Sequence, residues 1–308
     1  MPPICMSPNP DSHISEALAG FAEYMSAERR FSPRTAENYM DACRYFAKTV
    51  GDLPLSEIEL RHFISLKARM HQRGAGPSRI ASIVVGTKCL LQYARDVLGV
   101  KVLDLTSVKT PRAPNREVAY LSQDELIRFL SAIRLQTWTG EPRYSGYCFR
   151  ALVETLLATG MRISEALTLN RDSVDTKTKE AVIVGKGNKQ RTIFFTDRAL
   201  DWLHRYLELR TDSNPALFVG TRRTRLNLDS VGPMFRRVRA WANLEKRVTP
   251  HILRHTTATN LLANGCPIGF IREVLGHQRL ETTCRYYLGI LNRSDTKKAH
   301  EKYSVLAP

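Results

Sequence analysis

The run Ser107-Val108-Lys109-Thr110-Pro111-Arg112-Ala113-Pro114-Asn115-Arg116 holds two prolines, three cations and almost nothing that a core can use. Proline removes a backbone donor and biases the residue before it away from the helical region, so a regular element does not run through this stretch. The chain is therefore expected to fold as two domains joined by an extended linker at 106–118. The boundaries read as a disordered N-terminus at 1–12, a first domain at 13–105, a second at 119–291 and a tail at 292–308. At about 3.3–3.6 Å per residue the proline-containing run spans at most roughly 35 Å. With 308 residues and 43% apolar side chains, the chain is long enough to bury a core on each side of it.

Charge separates the two halves further. Net charge is +16, and it is unevenly placed: residues 1–105 carry 13 basic and 11 acidic side chains, 106–118 carry 3 and 1, and 119–308 carry 30 and 18. A surplus concentrated in the C-terminal part points to a polyanionic partner bound through released counterions, more than to a solubilising surface. The six cysteines, Cys5, Cys43, Cys89, Cys148, Cys266 and Cys284, are scattered, with no C-x-x-C pair and no zinc spacing. They read as reduced thiols, with no metal expected. The absence of an apolar run of about 18 residues, and of a basic and apolar leader in MPPICMSPNPDSH, argues for a soluble cytoplasmic protein without membrane contact.

The first domain reads as four amphipathic helices. Ile14, Leu18, Phe21 and Met25 recur at helical spacing over about 14–29; Ser32-Pro33 caps a helix that places Tyr39, Cys43 and Phe46 on one face; Ser56 and Glu59 form a capping box before Phe63, Leu66 and Met70. After the breaker Gly74-Ala75-Gly76-Pro77 a fourth helix runs over about 78–97. The second domain is mixed. Helices are expected at about 122–134, opened by a Ser122/Glu125 capping box, and at 146–159, 163–169, 197–211, 229–242, 250–263 and 268–275. Ala181-Val182-Ile183-Val184 and Thr192-Ile193-Phe194-Phe195 flank a polar, glycine-containing turn and read as a β-hairpin. The fold class expected is mainly α with a small β-hairpin.

Chemistry concentrates in the second domain. Pro250 fits the first turn of a helix capped by Thr249, which puts His251, Arg254 and His255 on one face. Zinc is one reading of two histidines at this spacing, but Ile252 stands where a metalloprotease needs glutamate; an ordinary exposed polar face is the other. In Thr159-Gly160-Met161-Arg162-Ile163-Ser164-Glu165 an arginine follows a glycine at a helix start, where backbone N–H groups favour an anion. Arg162 is either a surface cation paired with Glu165 or a guanidinium fork for two phosphate oxygens, oriented by Glu165.

Taken together, four strings resemble the tyrosine recombinase (phage integrase) family, and its compact Xer-type members most: T-G-M-R-I-S-E-A-L, then V-G-K-G-N-K-Q-R in a hairpin, H-I-L-R-H-T-T-A-T, and L-G-H-Q-R-L-E-T-T-C-R-Y. Their order and spacing agree with the family over nearly all of residues 13–290. The resemblance implies a SAM-like helical core-binding domain and a mixed α/β catalytic domain that together clamp a duplex. It also implies that Arg162 and Arg254 hold the scissile phosphate and that Lys186 protonates the leaving 5′ oxygen. His251 assists proton transfer, His277 hydrogen-bonds the phosphate, and Tyr286, nine residues after His277, is the nucleophile, with its neighbour Tyr287 a packing residue. Lys189 and Arg191 fall off the family's lysine position and are expected to contact the DNA backbone, as are Arg79 and the linker cations Lys109, Arg112 and Arg116. Two arginines and a lysine lower the barrier to attack on an anionic phosphodiester electrostatically. The phosphotyrosine keeps the energy of the broken bond, so the resemblance implies neither ATP, metal nor other cofactor.

The partners implied are double-stranded DNA with paired inverted-repeat sites, a homodimer on each site and a homotetramer in the synapse, at the nucleoid, with strands exchanged through a Holliday junction. The tail, carrying Lys297, Lys298 and Lys302, is a candidate for docking on a neighbour. Two other readings stay open: a type IB topoisomerase-like relaxing enzyme, and an inactive DNA-binding accessory protein. Thr257 stands where the family often has an aromatic residue, and the segment from Gln136 to Tyr147 is longer than a minimal turn.

Overall fold

The computed structural model describes residues 12–111, 119–185 and 190–276. Its chain divides into two compact units, Met1–Arg116 and Glu117–Pro308. Lys186, Lys189, His277, Tyr286, Tyr287, Arg112, Arg116, the N-terminal residues 1–11 and the tail at 292–308 lie outside the described residues.

In the first unit, helices α1 (Ile14–Ala27), α2 (Pro33–Val50), α3 (Leu60–Gln72) and α4 (Pro77–Asp96) surround one core that includes Ile14, Phe21, Met25, Phe46, Phe63 and Leu66. The apolar residues that set the helical period are the ones buried. Ser32 accepts from the Thr35 backbone N–H at 3.3 Å and Pro33 opens α2, so α2 starts where its cap chemistry places it. Gly86 lets α4 approach α2: a Cβ there would lie 2.6 Å from the Ala42 Cβ.

Two expectations need correction. Ser56 does not cap α3. Leu55 and Ile58 are buried, which holds 55–57 as a single 3₁₀ turn, so Glu59 becomes the N-cap and its N–H donates to His62 Nδ1 at 3.0 Å. The expected linker also begins inside the first unit. Val108 is 2% exposed in the core, and its carbonyl and that of Lys109 accept from Lys88 Nζ at 3.2 Å and Lys67 Nζ at 3.0 Å. A single valine with two nearby ammonium donors is enough to fold the first part of the stretch back onto the helices.

The second unit runs α5 (Gln123–Ser131), α6 (Tyr144–Thr159), α7 (Ile163–Thr168), β1 (Glu180–Val184), β2 (Gln190–Phe194), α8 (Asp197–Glu208), α9 (Leu228–Trp241), α10 (Pro250–Ala263) and α11 (Ile268–Leu275). Among the described residues the molecule is mainly helical with one two-stranded antiparallel sheet, in the class expected. The register pairs Ile183 with Arg191 and Ala181 with Ile193. The Ser122/Glu125 capping box forms as expected, at 2.8 and 3.2 Å. α6 is the central element, with buried residues on all sides, including the charged pair Arg150 and Glu154. Arg150 Nε donates to Glu154 at 2.8 Å, and Arg198 grips the same carboxylate at 2.9 and 3.0 Å, so the buried charges are compensated. No helix among the described residues is long and apolar enough to cross a membrane.

Residues 136–142 form a short tongue closed by a bridge between Gln136 and Pro142, with Trp138 fully exposed at its tip. The backbone just before the tongue, at Arg134 and Leu135, lies directly on the first turn of α6. A Cβ on Gly146 would sit 2.0 Å from the Arg134 carbonyl oxygen, a backbone-to-backbone clash that a side-chain rotation does not relieve. Gly146→Ala is expected to lower the stability of the second unit by about 1–3 kcal/mol, read as a lower thermal midpoint. Gly269→Ala, where nothing lies within 4 Å of the added carbon, is expected to leave the midpoint unchanged or slightly raised.

Candidate active site

Arg254 sits one turn into α10, a helix opened by Pro250 and by Thr249, whose hydroxyl accepts from the Ile252 N–H at 3.3 Å. Leu253 beside it is fully buried, which carries the Arg254 side chain inward, where it is 6% exposed. Its Nη1 donates to the Gly160 carbonyl at 2.7 Å and its Nη2 to the Leu275 carbonyl. One guanidinium thus joins the C-terminal ends of α6 and α11. Both helices stop in a left-handed glycine, Gly160 at φ 60° and Gly276 at φ 63°, as an αL cap requires. The caps release the chain toward Arg162 and His277 respectively, so Arg254 draws two of the sequence motifs together. Thr257, one turn on, donates from Oγ1 to the Leu157 carbonyl at 2.9 Å. A hydroxyl therefore ties α10 to α6 at the position where the family often has an aromatic ring.

Arg162 is the N-cap of α7. Its backbone N–H donates to Glu165 Oε2 at 2.7 Å and its Nη1 to Oε1 at 3.1 Å, leaving the side chain 33% exposed. Glu165 is buried, and it also receives both prongs of Arg191: Nη1 to Oε1 at 3.0 Å and Nη2 to Oε2 at 2.8 Å. Burial by itself raises the Glu165 carboxyl, but the Arg191 hydrogen bonds, followed by the Arg162 N–H and the two guanidinium charges, outweigh it and hold the group below the usual carboxylate range. Three guanidiniums meet in this part of the second unit, Arg162 and Arg191 on one buried carboxylate and Arg254 on two helix-end carbonyls. Cations gathered in this way suit a bound anion.

Two imidazoles share the face of Arg254. His251 is exposed at the start of α10, and its pKa is lowered from 6.5 by partial burial first and then by the Arg254 and Arg162 charges. His255 lies deeper and is pushed down to about 4 by burial, His251 and Arg254. Both are neutral at neutral pH, with His251 at the edge of the cationic site. Among the described residues, no three His, Cys, Asp or Glu side chains group as a metal site requires.

Of the residues singled out in the sequence, Arg162, Glu165, His251 and Arg254 converge here. Arg191 joins them, and its expected role changes: expected as a contact to the DNA backbone, it is turned inward, with its side chain 15% exposed and committed to Glu165. The strand period carried this signal, because Arg191 shares its side of β2 with buried Ile193, and a cation on an inward face needs an acid. Arg79 belongs to the first unit, exposed on the first turn of α4 with its guanidinium 5.9 Å from the Tyr45 ring centre. Lys109 is exposed in the same unit.

Comparison with known proteins places the chain in a family. The model of the phage integrase family matches residues 120–291. Tyrosine recombinase XerD of Mycobacterium leprae is 30% identical over 299 residues, covering 89% of this chain and 93% of that protein. Tyrosine recombinase XerC of Proteus mirabilis is 27% identical over 280 residues, with 89% of each chain covered. Among solved structures, the Tn1549 transposon integrase in complex with a circular intermediate DNA shares the fold, with a TM-score of 0.73 at 18% identity, covering 94% of this chain and 99% of that one. A family match over more than half of the chain, with a relative at 30% identity along most of its length, makes this protein a member of the phage integrase family and a tyrosine site-specific recombinase.

Proposed function

We propose that Arg162 and Arg254 hold the scissile phosphate of duplex DNA while Tyr286 attacks it. The single observation that carries this reading is the Arg254 guanidinium bonded to both Gly160 and Leu275, which brings the Arg162 turn and the residue before His277 to one place. The Tyr286 phenol oxygen forms a bond to phosphorus as the bond to the 5′ oxygen breaks. Lys186, in the segment between β1 and β2, gives its proton to that oxygen, and His251 accepts the phenol proton. His277 donates a hydrogen bond to a non-bridging phosphate oxygen. The products are a 3′-phosphotyrosine and a 5′ hydroxyl. A 5′ hydroxyl from a second duplex then attacks the same phosphorus and frees the phenol, so the exchange proceeds through a Holliday junction without net loss of phosphodiester bonds. Positive charge that is held in place before the reaction and not neutralised is what this transition state needs.

The first unit supplies the second grip. Arg44, Lys48 and Arg79 lie exposed along one groove between α2 and α4, and the sequence adds Lys109, Arg112 and Arg116 after the last helix of this unit. With a net charge of +16 the chain suits double-stranded DNA, two copies binding paired inverted repeats of roughly 11 base pairs, about one helical turn per half-site, and four meeting in the synapse. The tail at 292–308 docks on a neighbouring copy. The compartment is the cytoplasm, at the nucleoid.

Tyr286→Phe is expected to abolish covalent capture of a nicked suicide substrate while Tyr287→Phe retains it; capture that survives Y286F and vanishes in Y287F moves the nucleophile by one residue. The cleavage rate should depend on a neutral His251. Because the folded pKa lies below 6.5, the rate should hold as pH falls from neutral to 6.5 and decline only below it; in His251→Gln the decline should be absent and the rate lower throughout. Deleting residues 292–308 should weaken synapsis more than single-site binding, as read by gel shift, and equal losses in the two would refute a docking role for the tail.

A further inference from the structure

The geometry points to Arg191 as a positioning residue that occupies Glu165 so that the Arg162 guanidinium stays turned toward phosphate. The inference rests on the proposed roles of Arg162 and Tyr286 and gives a task to a residue that those roles leave idle.

Glu165 has two oxygens and four donors. Arg191 takes the two-pronged side-on geometry, one prong on each oxygen at 3.0 and 2.8 Å, while Arg162 reaches Oε1 with Nη1 alone, at 3.1 Å. Without Arg191 the buried carboxylate has spare lone pairs and less compensation, and among the described residues the other cation on it is Arg162. Drawn into a two-pronged pair of its own, Arg162 would turn away from its one-third exposed position and lose its net charge to Glu165. Arg191 prevents this by supplying the second cation first.

A second contact sets where Arg191 stands. Its guanidinium lies against the Cα of Gly276, so that a Cβ there would fall 2.7 Å from Cζ and 2.8 Å from Nε and Nη1. Nε is buried and has no hydrogen-bond partner among the described residues. A phosphate therefore reaches this guanidinium only by breaking the Glu165 pair, which sets Arg191 apart from an arginine that grips DNA. The side chain also belongs to β2, paired across the ladder with Ile183, at the strand end next to the segment that carries Lys186 and Lys189. The hairpin, the Arg162 turn and the residue before His277 are thus held by one planar group.

The test is single-turnover capture on a nicked suicide substrate, with DNA affinity measured over a range of salt, for wild type, Arg191→Gln, Arg191→Lys, Glu165→Gln and the double variant R191Q/E165Q. R191Q is expected to slow capture about 100-fold, the scale of a misplaced reacting group. Its affinity should stay within about twofold of wild type, with an unchanged salt slope. R191K, which keeps the charge but not the two-pronged grip, should fall between them. The decisive arm is the double variant: a neutral amide in place of the Glu165 carboxylate no longer pulls on Arg162, so R191Q/E165Q should capture at least about tenfold faster than R191Q. Losses that add, or a double variant no faster than R191Q, overturn the inference. So does a weaker affinity with a salt slope reduced by about one, which is the mark of a phosphate contact. If R191Q does not fold, as judged by its thermal transition, R191K and R191K/E165Q carry the same comparison. A wild-type protein unable to capture the substrate removes the parent reading and this one with it, whereas failure of the rescue removes this one alone.

Discussion

A buried guanidinium bonded to two helix ends is the interaction on which the site depends. Arg254 is held by the carbonyls of Gly160 and Leu275, at the C-termini of α6 and α11, where the unpaired carbonyls carry partial negative charge. Such ends offer a buried cation both hydrogen-bond acceptors and partial negative charge. The same device converts two separate turns into one surface, because each carbonyl belongs to the residue, or the neighbour of the residue, from which a functional segment departs. The glycines follow from it. Gly160 and Gly276 both need positive φ, and a Cβ on Gly160 would already press on Leu275 at 3.0 Å.

The second arginine is handled by the opposite means. Arg162 stands beside a buried carboxylate, and there the danger is over-neutralisation; Arg191 shares the carboxylate and keeps the balance positive. The scaffold underneath is more conventional. α6 passes through the core and compensates its own buried charges with Arg150, Glu154 and Arg198, while Thr257 ties α10 to it by a hydroxyl. Rigid support of this kind matters because a site built from side chains of different helices is only as well placed as the helices themselves.

Much of the local structure was legible because its causes are local. Ser32 with Pro33, Ser122 with Glu125 and Thr249 with Pro250 all start helices where cap chemistry predicts, and the runs Ala181–Val184 and Thr192–Phe195 on either side of a polar turn yield the hairpin. The failures have a common cause in burial. Ser56 carries good cap chemistry, but the burial of Leu55 and Ile58 governs the segment. Val108 sits in a run that reads as linker, and only contact with a core already formed draws it in.

Four short motifs named the candidate site residues, and in their order and spacing family membership was present, since spacing is a property of the chain itself. Which groups face each other was not. That Arg254 reaches two backbone carbonyls, and that Arg191 serves Glu165 and not solvent, depends on segments 21 to 94 residues apart meeting in space. A single sequence records the donors and the acceptors but not their pairing, because the pairing is decided by packing, which brings one carboxylate within reach of two arginines and lets only one of the two guanidiniums take both oxygens.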